Sequence, residues 1–317
     1  GHGKYFFLLG TWALEQGNSS VAADYFKLAE EKNIARADVY RAIANTEADS
    51  LQKAVSDWDS LSRSSDPEKV KLANSMKAVL QATPEQVTNF SDSNKYAYIR
   101  YRIKPTDTVG FWKLTNSLDH EHLKAKAILD FSKKWYALDE PELAARIIAQ
   151  VQGLKLGDRS TYDQILILNM MLLAELEPGQ FLKQDLGQAL PVHSSFVNEL
   201  TYLKSLQFER TGEIEQARAG YERLNQANAY FEEGLIASAR FFANDSTDRL
   251  KPYSILVSGL MVRPNSIKLL KEYIKQAALL GFDDEADESL TKLRGLLSSR
   301  SFNRYIEENP DFFSIDN

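Results

Sequence analysis

One spacing of small and large apolar residues recurs along this chain, and it restricts the fold more than any other feature. Phe6, Leu9, Gly10 and Ala13 fall on one helical face, and Gly17-Asn18 breaks that helix. Ala22, Phe26 and Ala29 then mark the inner face of a second helix, opened by Ser19-Ser20 as capping residues. The same frame returns 264 residues later at every point, as Leu270, Tyr273, Ile274 and Ala277, then Gly281, then Ala286, Leu290 and Leu293. It recurs in between as Phe208, Gly212, Ala217, Tyr221 and Leu224. Shorter copies of the second helix occur at Ala54, Trp58, Leu61 and at Ala144, Ile148, Val151. Self-similarity at a fixed period is the mark of stacked supersecondary units.

Each position in the frame has a physical reason. The small residue at Ala22, Ala144, Ala217 or Ala286 lets the second helix approach the first closely, and the larger residue four positions on fills the space between hairpins. Glycine in the turn tolerates the left-handed backbone that ends the first helix. A lone hairpin cannot bury both of its faces, so the units must stack. The expected fold is therefore all-α, an α-solenoid of antiparallel helical hairpins, with about seven to nine hairpins at this repeat length. The clearest repeats are residues 3–36, 198–231 and 265–298, the hairpins over 66–192 are irregular, and 299–317 caps the end. No Gly/Ser/Pro-rich linker divides the chain, so one continuous domain over 1–317 is expected.

Local signals fill in the middle. Asp66-Pro67 and Thr83-Pro84 each place a proline in the first turn of a helix, the former running to about Gln81. Tyr96 to Ile103 fits a strand by alternation and a helix by its Tyr96, Ile99, Ile103 spacing; helix is favoured because no second strand is available to pair with it. Thr108 to Leu118 reads as a short helix, 121–153 as a hairpin broken at Asp139 to Pro141, and Thr161 to Leu176 as the most apolar, central helix. Pro178-Gly179 and Pro191 punctuate an irregular hairpin. A last helix carries Phe302 and Tyr305, with Phe312-Phe313 tucked under it.

The frame resembles the tetratricopeptide repeat family. That family's pattern runs from a large apolar residue to a Leu-Gly pair, a turn glycine, an alanine, an aromatic and a second alanine. Phe6, Leu9-Gly10, Gly17, Ala22, Phe26 and Ala29 follow that order, with Ile34 where proline is usual, and the last repeat opens after Pro264. The resemblance implies a right-handed superhelix whose first helices line a concave groove that receives a protein or peptide partner. Carried over by the frame, the groove positions are Lys4, Phe7 and Thr11, then Asp38, Arg41 and Asn45, then Glu199, Tyr202 and Arg210, then Arg240, and finally Lys268, Lys271 and Lys275. The three lysines share one helical stripe and favour an acidic ligand segment. Some family members hold a peptide's terminal carboxylate with Lys and Asn on one helix; Arg41 and Asn45 resemble that pair, and the frame is lost where the remaining members would lie.

Composition removes several kinds of chemistry. The chain of 317 residues has no cysteine, which excludes thiol catalysis, disulfides and cysteine-ligated metal. Its net charge of −6 gives no broad footprint for nucleic acid, although Tyr98, Arg100, Tyr101, Arg102 and Lys104 form a local basic, aromatic stretch of a kind that can hold single strands. No apolar run reaches the ~20 residues of a membrane helix. His120-Glu121-His122 reads as helix-start polarity, because residues two apart diverge on a helix. Asp283-Asp284-Glu285 with Asp287-Glu288 reads as charge complementing a helix N-terminus and lacks a calcium loop's ligand order. Nucleophile-elbow, dinucleotide and P-loop motifs are missing. No catalytic residue, cofactor or metal is expected.

The sequence thus points to a non-catalytic interaction scaffold, with self-association as a further use of lateral helix faces. The alternative is a solenoid that encloses a small molecule such as a glycan or lipid, using Phe111, Trp112, Trp135 and Tyr136 in the irregular centre. An enzyme on a helical toroid would need converging polar groups that the sequence does not disclose. The start at Gly1-His2-Gly3 reads as a remnant of an expression tag or a cut within a longer protein. With the lack of thiols, it leads us to expect a bacterial, exported or periplasmic domain, the cytoplasm being equally compatible with a thiol-free chain.

Overall fold

The apolar stripes lie on helices in a computed structural model of the chain, which describes residues 2–15, 18–48, 50–189, 196–227, 231–244 and 248–310. No strand occurs among the described residues. The chain divides into two compact units, one of residues 1–132 and 146–162, the other of 133–145 and 163–317. The boundaries fall inside helices, which is why no linker composition marks them.

In the N-terminal unit, α1 (His2–Glu15) and α2 (Ser19–Glu30) form the first hairpin, and α3 (Ala37–Glu47) and α4 (Leu51–Leu61) the second. Asn18 accepts from the Val21 N–H and so caps α2, one residue before the expected serines. Ala22, Phe26 and Ala29 are fully buried, as are Ala54 and Trp58 in the second copy. Gly10 meets the Phe26 ring so closely that an added Cβ would lie 2.7 Å from it. The pairing of no side chain with a large ring is what lets α1 and α2 pack. Trp58 donates to the Thr46 hydroxyl at 3.0 Å, giving a buried indole its partner. The turns at Gly17 and Asp49 lie outside the described residues.

Next come α5 (Pro67–Gln81), capped by Asp66, the short α6 (Pro84–Val87), opened by a Thr83/Gln86 capping box, and α7 (Asp92–Arg102). The ambiguous segment is thus a helix, and both α5 and α6 pack on α7. After it come α8 (Thr108–Asn116), α9 (Glu121–Ala137), α10 (Pro141–Ile148) and α11 (Arg159–Leu176). Phe111 is fully buried and stacks on Phe131 at 3.8 Å.

The regular frame resumes after the short α12 (Pro178–Phe181) and α13 (Leu186–Ala189). Pro191 lies outside the described residues. Three hairpins follow in the C-terminal unit: α14 (Val197–Thr211) with α15 (Ile214–Ala227), α16 (Glu232–Ala243) with α17 (Lys251–Val262), and α18 (Ile267–Leu280) with α19 (Asp283–Leu296). The first helices α14, α16 and α18 also touch in succession, forming one layer. Gly212 (φ 83°) and Gly281 (φ 75°) end α14 and α18 in the left-handed conformation, as the turn glycines were expected to. Ala217, Tyr221, Leu224, Ile274, Ala277 and Leu293 are buried in one continuous core. The last helix, α20 (Ser299–Glu307), buries Tyr305, whose hydroxyl donates to the Lys271 carbonyl at 3.0 Å. Phe312-Phe313 lies outside the described residues.

Candidate functional site

Because side chains one or two turns apart share a helical face, each first helix of the C-terminal unit carries one stripe of inward residues. On α14 the stripe is Tyr202, Leu206 and Arg210; on α16 it is Glu233, Ala237 and Arg240; on α18 it is Lys268, Lys271 and Lys275. The three stripes converge on a cavity of about 370 Å³. Six groove positions read from the sequence, Tyr202, Arg210, Arg240, Lys268, Lys271 and Lys275, therefore line one site.

Most of that charge is answered from within. Lys271 reaches Asp139 at 2.5 Å, Arg240 Nε donates to Glu272 at 2.9 Å, and Lys268 lies 4.0 Å from Glu233 with its ammonium 3.3 Å from the Tyr136 ring centroid. Arg210 donates to the Ala174 carbonyl at 2.8 Å and lies over the Phe181 ring. Lys275 is in no ion pair among the described residues. The lysine stripe is thus not uniformly basic: two of its three charges, those of Lys268 and Lys271, are already matched. The Arg240 side chain keeps 64% of its surface exposed, so its Nη groups remain presented.

The neighbouring groups fix the protonation of the site. Burial, and then the Glu233 carboxylate, raise the phenols of Tyr136 and Tyr202 above the ordinary range, so both are hydroxyl donors at any physiological pH. The surrounding cavity walls act against the Arg240 charge even though its outer surface is open to solvent, but Glu272 outweighs them and keeps the guanidinium ionised. The lining is a mixed polar surface, with Glu175, Glu209 and Glu308 facing the same space.

Tyr136 of α9, one of the central aromatics named for the alternative small-molecule pocket, lines this cavity; sequence reasoning missed Asp139, Glu175 and Tyr305, which come from the α9–α10 turn, α11 and α20, outside the regular frame. Asp139 carried one signal in the sequence, its place at the Asp139 to Pro141 break between two helices, where it adopts φ 62°. Glu140 in turn pairs with Arg304 of α20 at 2.6 Å.

The remaining groove candidates lie elsewhere. Arg41 donates to Glu30 and, at 2.9 Å, to Asp57, while Asn45 donates to the other Asp57 oxygen at 2.7 Å. Asp57 of α4 occupies the place an incoming carboxylate would take. The reason is register: Ala54 and Trp58 align with Ala22 and Phe26, which sets Arg41 and Asn45 level with Leu9 and Ala13. That face of α3 turns toward the second helices α2 and α4. Asp38 pairs with Lys69 at 2.5 Å, and the Thr11 hydroxyl donates to the Phe7 carbonyl. Phe7 packs edge-on against Phe26 and Tyr40, Lys4 is exposed, and Glu199 is raised by burial.

The basic, aromatic stretch is largely occupied too. Tyr98 is buried, and Arg100 and Tyr101 both donate to Glu47, at 2.5 and 3.2 Å. His120 Nδ1 sits 2.7 Å from Asp92, whose carboxylate also accepts the Asp119 and His120 N–H groups. No cluster of three metal-ligating residues occurs among the described residues. The acidic run falls in the first turns of α19. No helix among the described residues is long and apolar enough to cross a membrane.

No protein-family model matches the chain, and no curated protein matches it. Among solved structures, the crystal structure of the P58(IPK) TPR domain is similar at 14% identity over 99% of each chain, with a TM-score of 0.28. A superposition that loose carries no argument, and the hairpin architecture rests on the helices and buried positions of this chain.

Proposed function

We propose that the chain is a non-catalytic interaction scaffold whose C-terminal unit receives an extended segment of a partner protein between α14, α16 and α18. One observation carries this reading: three successive first helices bring Tyr202, Arg210, Arg240 and Lys275 to one polar cavity, with donors still presented after the internal ion pairs are made. A preformed lining of this kind orders little on binding, so contact energy goes into affinity. Tyrosine hydroxyls and an arginine fork suit backbone carbonyls and carboxylates. The mixed charge favours a segment with an acidic side chain near Lys275 and Arg240 over a uniformly acidic run, which Glu175, Glu209 and Glu308 would repel.

The polar lining supports a peptide ligand better than a lipid, since an apolar tail would leave its carboxylates without water or partner. Of the four central aromatics, Tyr136 reaches this cavity, whereas Phe111 is spent on Phe131.

The test is fluorescence anisotropy with a panel of short labelled peptides carrying one, several or no acidic residues. Saturable binding of singly acidic members, weakened about tenfold or more by Lys275→Glu through loss and reversal of one charge contact, supports the reading. Equal affinity for all members, or no effect of Lys275→Glu and Tyr202→Ala, would remove it.

A further inference from the structure

Between the neighbouring second helices α17 and α19 runs another depression, of about 310 Å³, which shares no residue with the polar cavity. Its floor is Leu270 and Tyr273 of α18, and its α17 wall is Val257, Leu260 and Met261, spaced as one helical face. Met261 is 81% exposed. An unbranched thioether left in water on the wall of an apolar groove is a side chain able to repack against an incoming surface.

The equivalent place in the N-terminal unit, between α2 and α4, is also a depression, of about 500 Å³, but its lining is of a different kind. The frame that sets Arg41 and Asp57 on Leu9 and Tyr25 sets Tyr273 and Ser289 on the same two positions. Where α3 and α4 line their depression with the Arg41–Asp57 ion pair, α18 and α19 present an aromatic ring and a hydroxyl. The opposite wall is acidic. Glu285 and Glu288 line the groove from α19, flanked by Asp283, Asp284 and Asp287, and none of these carboxylates is in an ion pair among the described residues. Lys292, one turn further along, is a cation at the far end of that wall.

We propose that this groove docks a basic amphipathic helix of a partner protein. Apolar side chains at i, i+3 and i+7 of such a helix would seat on Val257, Leu260 and Met261, over the ring of Tyr273. Its lysine or arginine flank would face Glu285 and Glu288, whose field also steers the encounter. An acidic helix would meet the same apolar wall against like charge. The site stands independently of the polar cavity.

The experiment uses the whole chain and two labelled helical peptides that share one leucine face, one with lysines and the other with glutamates on the flanks. Fluorescence anisotropy is expected to show the lysine peptide bound about three- to tenfold tighter, the range two exposed charge contacts supply, with the preference shrinking as salt rises. Glu285→Lys/Glu288→Lys should reverse the preference, Met261→Lys should weaken the lysine peptide, and Lys275→Glu in the other cavity should leave it unchanged. Met261 and both glutamates are exposed, and far-ultraviolet circular dichroism verifies that each variant keeps its helices. Equal binding of the two peptides, or indifference to Met261→Lys and to the glutamate reversals, would overturn the proposal. So would sedimentation showing a dimer that Met261→Lys dissociates, because the groove would then belong to a second copy of the chain.

Discussion

Lys271 and Asp139 stand 132 residues apart in the chain and meet at 2.5 Å, so the turn between α9 and α10 is tied to the first helix of the last full hairpin. The Lys271 carbonyl accepts from the Tyr305 hydroxyl of α20, and Glu140 beside Asp139 holds Arg304 of the same α20. One wall of the polar cavity is therefore made of elements with no place in the repeat.

Removing that tie has a measurable cost. The two side chains are 17% and 30% exposed, so the pair is partly shielded and belongs at the upper end of surface ion pairs, about 1 kcal/mol. Lys271→Met keeps the apolar stem and removes the charge. In urea unfolding, a double-mutant cycle with Asp139→Asn is expected to return a coupling of about 0.5–1 kcal/mol. Strict additivity would mean that the turn is held by other contacts.

The first hairpin depends on having nothing at position 10. A Cβ on Gly10 would lie 2.7 and 2.8 Å from two carbons of the Phe26 ring, and that ring is fully buried. Gly10→Ala is expected to destabilise by about 1–3 kcal/mol through overpacking. The last repeat solves the same geometry with Ile274 and Leu290 at the equivalent positions. Gly10→Ala combined with Phe26→Leu should therefore lose less than the sum of the single changes, as read by thermal unfolding. Full additivity would show that the ring is not what forbids the methyl.

These volumes explain how much of the fold was legible. Ala22, Ala54, Ala144 and Ala217, each fully buried, could be placed because helix–helix contact admits only small residues there. Asp66-Pro67 and Thr83-Pro84 could be placed because a proline in the first turn needs no local partner. The groove stripe of α18 followed from the same period. Arg41 and Asn45 were harder: between Ala29 and Ala54 the chain is two residues shorter than the frame carried over from the first hairpin, and the shift turns α3 by about half a helical turn. Asp139, Glu175 and Tyr305 were illegible for another reason. Each reaches the cavity from a segment whose position depends on long-range packing, not on spacing along the chain.

Two glycines near the end of the chain separate conformation from space. Gly281 ends α18 at φ 75° and Gly295 lies within α19; neither would meet another atom within 4 Å if it carried a Cβ. Gly281→Ala forces an L-residue into the left-handed region and is expected to cost about 1–2 kcal/mol. Gly295→Ala replaces a poor helix former at an ordinary backbone angle and is expected to add up to about 1 kcal/mol. Opposite shifts in thermal midpoint are the predicted result, and shifts of the same sign would contradict the assignment of the turn.

Acid should weaken the N-terminal unit through Asp158. This residue precedes α11, accepts the Thr161 N–H at 2.7 Å and its hydroxyl at 3.1 Å, and pairs with Lys126 at 2.9 Å. The bond from Lys126, followed by the Thr161 N–H, brings its carboxyl down from 3.8 to about 2. A folded-state value below the unfolded one means that the folded chain releases this proton more readily. The stabilisation is then fully present above about pH 4 and is lost as the pH falls from there toward 2. Since the side chain is 40% exposed, solvent screening keeps the effect modest. Asp158→Asn retains a capping oxygen but not the charge, so the variant should be less stable than the parent at pH 6, and the two should converge as acid protonates Asp158. Urea unfolding at steps between pH 6 and pH 2 reads the convergence, and a carboxyl-selective magnetic resonance titration reads the residue directly. A stability difference that stays constant across that range would show that the Lys126 contact does not depend on the charge of Asp158.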